Sequence, residues 1–560
     1  MPINMFKSVQ ILEKRVFGLS RRYLWTSEKI IQSPFKDVEI PDTTLTEYVW
    51  KDLEKWANKT AMICGVSERQ YTFLQLYRIS KIFGANLRKR FKIENDDVIA
   101  VMAPNIPEYG IIALGILEAG AVITPYNYLY TPYEVQKLLP LANPKVIVTI
   151  PECEPVVRKG IEMANKDIPI IAVDFGQSRP DNTLSFKELI SDKVDMTVLK
   201  DVKRTSNDVA ALLYSSGTTG LPKAVELTHR NIIANSEQQS TECRRHLETT
   251  ERHQDTALAI LPFSHVSGLG INMFHKLSNG LKLVTVKKFQ PDTFIKVLDN
   301  FHFNIFTLTT PIVQFLGSYP KVTAKHLQHL RYAGTGGAPI PKGDIEKFLD
   351  KAQYNVHLGQ IYGLTETSPV VTLNPIGNKK YTSAGFAVPN VSLRVVDTEM
   401  NNLGPNEQGE LLIKGPNVMK GYKNNPEANA RAFVDNEWLR SGDLVSIDKD
   451  GAMYVADRLR DLIKVKGFQV APAELESIIK EIPKVEDVAV VGIEDARTGE
   501  RPKAFVVLND KNIKEMEVLN YVNLKVAPYK YLKEVTFVDE IPKNPTGKIL
   551  KRELLEKYCK

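Results

Sequence analysis

The segment from Tyr214 to Lys223 carries residue types that bind phosphate. It reads Tyr-Ser-Ser-Gly-Thr-Thr-Gly-Leu-Pro-Lys and follows the apolar run Val209 to Leu213, which predicts a loop leaving a strand. Glycines let the backbone approach a ligand closely, and hydroxyl and backbone N–H groups suit phosphate oxygens. Lys223 adds a positive charge. The segment therefore indicates a site for the phosphates of a nucleotide.

Two other nucleotide-binding patterns do not fit this sequence. The loop lacks the Gly-Lys-Ser/Thr ending of a Walker A motif, and the segment Asn544 to Ile549 lacks it as well. The stretch Gly334 to Pro339 is not a dinucleotide fingerprint, because proline takes its last glycine position. A Ser/Thr/Gly loop alone is usually only a loop, so its meaning depends on the segments that follow it.

Further segments follow the phosphate loop in a fixed order: Gly336-Gly337-Ala338-Pro339, Tyr362-Gly363-Leu364-Thr365-Glu366, Ser441-Gly442-Asp443, Asp457-Arg458-Leu459-Arg460-Asp461, Lys464-Val465-Lys466-Gly467-Phe468-Gln469 and Pro545-Thr546-Gly547-Lys548. With the run Ser215 to Lys223, this series resembles the acyl-adenylate-forming enzymes. That family includes acyl-CoA synthetases, 4-coumarate–CoA ligases, firefly luciferases and peptide-synthetase adenylation domains. The resemblance covers roughly residues 40 to 555, and the motifs are jointly very specific.

The chain departs from the family pattern at two positions. Ala224 stands where glycine usually follows the Pro-Lys pair, and Ile361 stands where glycine usually precedes the aromatic residue. These changes bear on the flexibility of the loop and on the shape of the acyl pocket. Neither removes a charged or hydroxyl group that the chemistry needs.

The resemblance implies that the chain binds ATP and Mg²⁺ and activates a carboxylic acid. Attack of the carboxylate on the α-phosphate would release pyrophosphate, and the protein must position two anions and neutralise their charge. Thr365 would contact phosphate, Glu366 would help to hold Mg²⁺, and Tyr362 would stack on adenine. Asp443 would accept hydrogen bonds from the ribose hydroxyls, with Arg458 nearby. The other implied nucleotide-binding residues are Ser215, Ser216, Gly217, Thr218, Thr219, Gly220, Lys223, Gly336, Gly337, Ala338, Gln360 and Gly363.

Two residues are implied beside the reacting carboxyl group. By resemblance, Lys548 enters the site from the C-terminal domain and bridges the carboxylate and the α-phosphate. Read alone it is one lysine among many, and its Pro-x-Gly-Lys setting favours the catalytic role. His265, within Leu261 to Gly268, resembles the family histidine beside the acyl site, although a lone histidine near apolar residues is usually structural. Small Ser267 and Gly268 are expected to leave room for the acyl group.

The resemblance also implies a second arrangement of the domains, for transfer of the acyl group to the thiol of coenzyme A. The small C-terminal domain would rotate about a hinge at Arg460, where lysine or aspartate is more usual. Rotation would withdraw Lys548 and bring in the loop from Lys464 to Gln469. Gly467 would let the backbone pass close to the pantetheine. The residues implied on this side are Lys464, Lys466, Gly467 and Gln469.

Alternating strand and helix patterns form the scaffold for these motifs. Asp97 to Met102 reads as a buried strand and Pro107 to Gly120 as the helix after it. Further short apolar strands are predicted at 145–149, 169–173, 281–286 and 303–308. Short apolar strands separated by helices indicate an α/β architecture with mainly parallel sheets.

After about residue 380 the sequence pattern changes to short strands separated by turns, which predicts a β-rich subdomain. The last hundred residues predict a small α+β domain, with helices at 472–482 and 513–524 and strands at 485–493, 502–508 and 531–538. The predicted organisation is a targeting segment at 1–36, an AMP-binding domain at 37–457 with a β-rich part from about 380, a hinge at 458–461 and a C-terminal domain at 462–560.

Composition fits an ordinary folded protein of several domains, since 43% of the residues are hydrophobic and 25% are charged. The net charge of +7 is a small excess of 73 basic over 66 acidic residues without a dense basic block, which is weak support for nucleic-acid binding. The scattered cysteines, Cys64, Cys153, Cys243 and Cys559, give no metal-ligand spacing and favour a reducing compartment. No apolar run is long enough to span a bilayer.

Residues 1–30 are basic and poor in acids, and apolar residues could share one helical face. This is typical of a mitochondrial presequence, and an ordinary surface helix is the alternative. The residues Lys557 to Lys560 do not form a peroxisomal address of the Ser-Lys-Leu type, so a mitochondrial location is predicted ahead of a cytoplasmic or peroxisomal one.

Three other functions remain open at this point. A luciferase-like oxygenase would use the same first half-reaction, and a stand-alone adenylation domain would load a carrier protein, although no Gly-Gly-x-Ser carrier segment is present. A non-catalytic scaffold protein is opposed by the joint presence of Lys548, Glu366, Asp443 and Arg458. The leading prediction is an acid–CoA ligase for an apolar acid, either medium-chain fatty or aromatic.

Overall fold

The computed structural model describes residues 24–175, 178–191, 193–216, 222–240, 246–337, 340, 342–458, 462–509, 513–542, 549 and 551–559. For residues 216, 457, 458, 473, 551 and 552 only the backbone is described. Across these ranges, no helix is both long and apolar enough to cross a membrane. Most of the predicted targeting segment, residues 1–23, lies outside the described part of the chain.

The described strands, in chain order, are β1 (Ile31–Gln32), β2 (Thr60–Cys64), β3 (Gln70–Thr72), β4 (Val98–Met102), β5 (Val122–Tyr126), β6 (Val146–Thr149), β7 (Ile170–Ala172), β8 (Leu184–Ser185), β9 (Val209–Ser216), β10 (Pro222–Thr228), β11 (Thr256–Ala259), β12 (Lys282–Thr285), β13 (Ile305–Thr309), β14 (Tyr332–Gly336), β15 (His357–Gly363), β16 (Val370–Leu373), β17 (Phe386–Ala387), β18 (Ser392–Val396), β19 (Gln408–Lys414), β20 (Gly421–Tyr422), β21 (Phe433–Val434), β22 (Trp438–Ile447), β23 (Met453–Arg458), β24 (Ile463–Val465), β25 (Phe468–Val470), β26 (Val485–Asp495), β27 (Gly499–Leu508) and β28 (Glu534–Phe537).

The described α-helices span Leu45–Trp50, Leu53–Trp56, Phe73–Phe91, Glu108–Glu118, Pro132–Ala142, Glu154–Met163, Phe186–Ser191, His229–Ser240, His275–Leu277, Pro291–Asn300, Thr310–Ser318, Ala324–Leu327, Lys342–Lys351, Pro426–Ala432, Pro472–Lys480, Glu515–Asn523 and Lys551–Tyr558. A π-helix spans Ser267–Phe274, and 3-10 helices span Met196–Asp201, Thr365–Thr367 and Pro528–Lys530.

Two mainly parallel sheets form the bulk of the large N-terminal domain. The eight-stranded sheet has the order β20-β10-β9-β5-β4-β6-β7-β8, and the nine-stranded sheet has the order β17-β16-β15-β14-β13-β11-β12-β2-β3. Pairing is parallel through the middle of each sheet and antiparallel toward β20, β17 and β3. The predicted α/β architecture is confirmed. Strand β4 is fully buried, as parallel strands covered on both faces are.

The β-rich part is an antiparallel sheet with the order β1-β18-β19-β22-β21, to which β23 adds beside β22. Strands β18, β19 and β22 confirm the prediction of a β-rich subdomain after about residue 380. A buried apolar cluster that includes Val371, Val395 and Leu411 joins this sheet to the antiparallel end of the nine-stranded sheet.

The small C-terminal domain contains a five-stranded sheet with the order β25-β24-β27-β26, in which β28 pairs with β27. The predicted helices and long strands of this domain are present, with their ends shifted by a few residues. The hairpin of β24 and β25 was not predicted, because each strand has only three residues and the connection carries Lys466 and Gly467.

The phosphate segment differs from the predicted loop. Strand β9 continues through Tyr214 and Ser215 to Ser216, and strand β10 starts at Pro222. Cross-strand pairing of Ser215 with Lys223 shows why: the hydrogen-bonded ladder extends to the tip of a hairpin. Residues 217–220, which include four of the predicted phosphate-binding residues, lie outside the described residues.

Candidate active site

A cavity of about 860 Å³ lies where the two large sheets and the C-terminal domain meet. The N-terminal domain contributes residues that follow β4, β5, β13, β14 and β15, and the C-terminal domain contributes the β24–β25 hairpin. Parallel strands place their carboxyl ends at one edge of a sheet, which is where ligands of open α/β sheets bind. The cavity therefore collects side chains that are far apart in sequence.

His265 faces this cavity. Its Nδ1 accepts a hydrogen bond from the backbone N–H of Ser267 at 3.2 Å and lies 2.8 Å from the Ser267 hydroxyl. A ring nitrogen that accepts from an amide is unprotonated, so the proton of the neutral ring lies on Nε2. His265 is exposed to the cavity, and the protein atoms around the cavity wall lower its pKa to about 4 by desolvating the charged ring. At neutral pH the ring is thus an uncharged hydrogen-bond donor at the cavity wall.

The loop that carries His265 is held by Asn105, which follows strand β4. The Asn105 Nδ2 donates to the carbonyl oxygens of Ala259 at 3.0 Å and Leu261 at 2.8 Å, and its Oδ1 accepts from the amide of Phe263 at 2.9 Å. All these groups are buried where water does not reach them, so Asn105 supplies the hydrogen bonds that they need. No local sequence pattern predicts this role of Asn105, because it depends on contacts with a loop more than 150 positions away.

The expectation that Gly268 leaves room for the acyl group is wrong. A Cβ on Gly268 would lie 1.9 Å from the carbonyl oxygen of Pro262. Backbone atoms therefore occupy the space beside this glycine, and no room is left there for a ligand. The apolar wall comes instead from Ile260, Ile271 and Val370, with Ile361 on the neighbouring strand. The Ile361 Cδ1 packs over Gly334, where a Cβ would lie only 2.7 Å away.

On the phosphate side, Ser215, Thr365 and Glu366 line the cavity. The Glu366 side chain is buried, and its Oε1 accepts a hydrogen bond from the Tyr422 hydroxyl at 2.8 Å. Lys223 Nζ lies 4.9 Å from the centre of the Tyr422 ring. Tyr422, which was not among the predicted site residues, thus connects the predicted lysine and the predicted carboxylate.

On the ribose side, Asp443 lines the cavity and is almost fully buried. Its Oδ2 accepts from the Tyr362 hydroxyl at 2.6 Å, and its amide donates to the Ser441 hydroxyl at 3.0 Å. Backbone pairing of β22 with β23 sets Asp443 directly opposite Arg458. The predicted neighbours Asp443, Arg458 and Tyr362 therefore come together, and the hydroxyl of Tyr362 orients the carboxylate.

The remaining nucleotide-side predictions are placed as follows. Gly336 and Gly363 line the cavity, and Gly337 adopts a φ of +83° next to them. Gln360 is buried and donates to the carbonyl of Tyr381 at 2.8 Å. The ring of Tyr362 packs in the apolar cluster beneath the antiparallel sheet, so its adenine-stacking role stays a prediction.

The β24–β25 hairpin enters the cavity from the C-terminal domain. Lys466, Gly467 and Gln469 line the cavity, and Lys464 pairs with Gln469 across the hairpin. Lys466 and Gly467 have φ values of +52° and +84°, which form the tight turn. A Cβ on Gly467 would lie 2.8 Å from Thr309 Cγ2, so only glycine fits. The described arrangement is the one predicted to bring this loop to the site.

Seven predicted site residues cannot be placed. They are Gly217, Thr218, Thr219, Gly220, Ala338, Arg460 and Lys548, which lie outside the described residues. The side chains of Ser216 and Arg458 are likewise outside, although their backbones are described.

Comparison with known proteins adds an independent line of support. Residues 49–423 match the AMP-binding enzyme family, and residues 474–548 match the AMP-binding enzyme C-terminal domain. The chain is 35% identical over 538 residues to 4-coumarate–CoA ligase 2 of Nicotiana tabacum, covering 95% of this chain and 97% of the relative. It is 33% identical over 548 residues to 4-coumarate–CoA ligase 1 of Arabidopsis thaliana, covering 95% and 96%.

Among solved structures, a double mutant of o-succinylbenzoate CoA synthetase from Bacillus subtilis, bound with a product analogue, superposes with a TM-score of 0.79. It is 25% identical, and the match covers 92% of this chain and 99% of that chain. A second neighbour, MatB from Rhodopseudomonas palustris with bound ATP, gives a TM-score of 0.67 at 27% identity, covering 92% and 99%.

Proposed function

The chain belongs to the AMP-binding enzyme family, and from this premise we propose that it joins a carboxylic acid to coenzyme A at the expense of ATP. The class is that of the AMP-forming acid–CoA ligases. The observation that carries the proposal is one cavity that receives Thr365 and Asp443 from the N-terminal domain and Gly467 from the C-terminal domain. Nucleotide-side and thiol-side residues therefore reach the same space.

In the first step a carboxylate oxygen of the acid attacks the α-phosphorus of ATP. A new P–O bond forms, the bond to the β-phosphate bridging oxygen breaks, and pyrophosphate leaves with the electron pair. Ser215 and Thr365 offer hydroxyl groups to the phosphates, and Asp443, oriented by Tyr362, accepts from the ribose. Lys548, outside the described residues, is assigned the bridging positive charge by resemblance alone.

In the second step the sulfur of coenzyme A attacks the acyl carbon. The C–S bond forms, the C–O bond to the phosphate breaks, AMP leaves, and the thiol proton passes to solvent. A neutral His265 with its proton on Nε2 cannot serve as a strong acid, but it can donate a hydrogen bond to the acyl oxygen. Gly467 lets the hairpin backbone lie against Thr309 at the cavity, where the family resemblance places the pantetheine.

Glu366 fits a site for Mg²⁺. One of its oxygens accepts from Tyr422, and the residue lines the cavity beside the phosphate-side hydroxyls. Among the described residues, no cluster of three or more His, Cys, Asp and Glu could hold a metal. Mg²⁺ is commonly held by one or two carboxylates together with substrate phosphates, and Glu366 would supply one such carboxylate. When bound, Mg²⁺ supplies neutralisation of phosphate charge.

The acid is proposed to be apolar, either aromatic or medium-chain fatty. Ile260, Ile271 and Val370 give the cavity an apolar wall beside His265. The relatives named 4-coumarate–CoA ligase favour an aromatic acid. Ile361 adds a further apolar side chain to the cavity lining, which favours a slim or flat acyl group over a branched one.

A mitochondrial location is proposed from the basic, acid-poor character of residues 1–30. A fusion of this segment to a fluorescent protein should enter mitochondria. Diffuse fluorescence would favour the alternative of a surface helix.

The function is tested by measuring pyrophosphate release from ATP and Mg²⁺ with fatty and aryl acids, with and without coenzyme A. We expect one acid class to give release that coenzyme A stimulates. Release without that stimulation would point to a carrier-protein thiol or an oxidative second step. No release with any acid would contradict the proposal.

The two-step assignment has its own signature. Lys548→Ala should abolish adenylate formation and spare thioester formation from a supplied acyl-adenylate, and Lys464→Ala should do the reverse. Equal loss of both half-reactions in both variants would contradict the assigned roles.

A further inference from the structure

A buried lysine at the wall of the cavity connects the two domains. Lys530 Nζ lies 2.6 Å from Oε1 of Glu134 and 2.8 Å from Oε1 of Glu474. Glu134 belongs to the helix Pro132–Ala142 of the N-terminal domain, whereas Lys530 and Glu474 belong to the C-terminal domain. The side chains of Lys530 and Glu134 are only 8% and 6% exposed. The ion pair therefore crosses the domain interface and is almost fully buried, next to the cavity that Lys530 and Glu474 line.

The surroundings keep this lysine charged. Burial alone would lower the pKa of Lys530, but the charges of Glu134 and Glu474 raise it well above its ordinary value. The ring centres of Tyr130 and Tyr529 lie 5.1 and 5.7 Å from Nζ, which is the range of cation–π contacts. A charge buried this deeply is stable only while it is paired.

Glu134 is held rigidly in place to meet the lysine. Its Oε2 accepts from the amide of Thr131 at 2.9 Å and so caps the helix, which leaves Oε1 for Lys530. The same turn makes two more contacts across the interface. The Thr131 hydroxyl donates to the carbonyl of Lys525 at 2.6 Å, and the Tyr133 hydroxyl donates to Glu481 at 2.7 Å. The start of this helix is thus a preformed docking surface for the C-terminal domain.

Lys530 is also coupled to the hairpin that enters the cavity. Its neighbour Tyr529 stacks on Phe468 of the hairpin, with ring centres 4.3 Å apart. Phe468 follows Gly467, whose backbone lies against Thr309. A fixed position of Lys530 therefore fixes the position of the hairpin relative to the cavity.

We propose that the Glu134–Lys530 ion pair is a positioning device for thioester formation, which holds the C-terminal domain in the arrangement that inserts the β24–β25 hairpin. The inference rests on the proposed two-step function. Glu474 lies in the same domain as Lys530, so the lysine keeps one partner when the domain rotates away. Glu134 alone loses its partner, and it then faces water. The Glu134–Lys530 ion pair can therefore form and break without leaving a buried charge unpaired, since Lys530 keeps Glu474 and Glu134 becomes solvated.

The first experiment measures the two half-reactions separately in Glu134→Gln. Pyrophosphate release without coenzyme A reports adenylation, and conversion of supplied 4-coumaroyl- or octanoyl-adenylate to thioester reports the second step. We expect thioester formation to fall by about tenfold or more, since one partner of a buried ion pair is removed. Adenylation should stay within about twofold of the wild type, because the pair is absent from that arrangement.

Glu534→Gln is the matched control. Glu534 pairs at 2.5 Å with Lys503, a lysine that is only 6% exposed, and both residues lie within the C-terminal domain. This variant disturbs the domain without touching the interface, so both half-reactions should change by similar factors. If Glu134→Gln also slows both half-reactions equally, the pair has only a structural role and the inference is wrong.

A second readout does not depend on catalysis. Amide hydrogen exchange at residues 131–135 should rise in Glu134→Gln and remain at the wild-type level in Glu534→Gln. In Lys530→Met, added Glu134→Gln should restore part of the lost thioester rate, because it removes a carboxylate that is no longer neutralised. No rise in exchange and no rescue would overturn the inference. If the wild-type enzyme forms no thioester while Glu134→Gln still raises amide exchange, the proposed function is wrong but the docking contact is supported.

Discussion

Gly467→Ala is the sharpest perturbation of the thiol side of the site. The residue has a φ of +84°, and an added Cβ would lie 2.8 Å from Thr309 Cγ2 and 2.9 Å from Thr309 Cβ. The left-handed backbone costs an alanine about 1–2 kcal/mol wherever it occurs. The overlap with Thr309 adds roughly 1–3 kcal/mol, the usual penalty for overpacking. The backbone penalty acts in both domain arrangements. The overlap penalty acts only in the docked arrangement, because Thr309 lies in the other domain.

The overlap penalty corresponds to about a fivefold to 150-fold loss in thioester formation, at 1.36 kcal/mol per factor of ten. Gly451→Ala is the matched control, since Gly451 has a φ of +86° but its Cβ would meet nothing closer than Leu24 Cδ1 at 3.4 Å. It should lower the free energy of unfolding to a similar extent while leaving the ratio of the two half-reactions unchanged.

Both half-reactions are measured as above, and urea unfolding gives the stability of each variant. Thr309→Gly combined with Gly467→Ala should recover most of the thioester rate, because it removes the atoms that the new methyl group meets. Equal loss of both half-reactions in Gly467→Ala, or a loss no larger than that of Gly451→Ala, would refute the reasoning.

Three further predictions concern the N-terminal domain. Ile361→Ala should raise kcat/KM for bulkier aryl acids relative to slim ones, because it removes the side chain over Gly334; an unchanged preference across a panel of substituted cinnamates would exclude Ile361 as a wall. Asn105→Ala should lower the free energy of unfolding by about 2–4 kcal/mol and slow pyrophosphate release, since it leaves buried backbone groups without partners; Asn105→Asp, which keeps the acceptor for Phe263, should lose less. His229 is buried, and burial lowers its pKa to about 4. Because the unfolded chain binds the proton more tightly, the free energy of unfolding should fall as pH drops from about 6.5 toward 4, by up to roughly 3 kcal/mol in total. In a pH series of urea titrations, His229→Gln should remove most of that fall.

Local sequence was sufficient for much of the fold. Buried strands such as β4 and β6 are continuous apolar runs bounded by turn residues, so their position and type follow from short stretches of chain. The β24–β25 hairpin was missed because charged residues at its turn interrupt the apolar pattern. The phosphate segment was predicted as a loop from Tyr214 onward, whereas ladder hydrogen bonds carry β9 on to Ser216.

Residues that a motif predicted, such as His265, Glu366 and Asp443, line the cavity, while their catalytic and binding roles stay predictions. Residues that act through a distant partner were not predicted. Asn105 fixes a loop more than 150 positions away in sequence, and Glu134 meets a lysine 396 positions away. No periodicity or local spacing encodes such contacts, because they arise only when the sheets and domains pack.

The cavity walls come from two separately folded parts of the chain, and this affects how the protein should melt. A ligand that touches only one wall raises the stability of one domain, whereas a ligand that spans both adds its binding free energy to the interface between them. A nucleotide fragment should therefore separate the melting of the two domains in calorimetry, while a compound that reaches from Asp443 to Gly467 should merge them into a single transition. The shape of the melting curve would then report which half of the cavity a compound occupies, without any measurement of turnover.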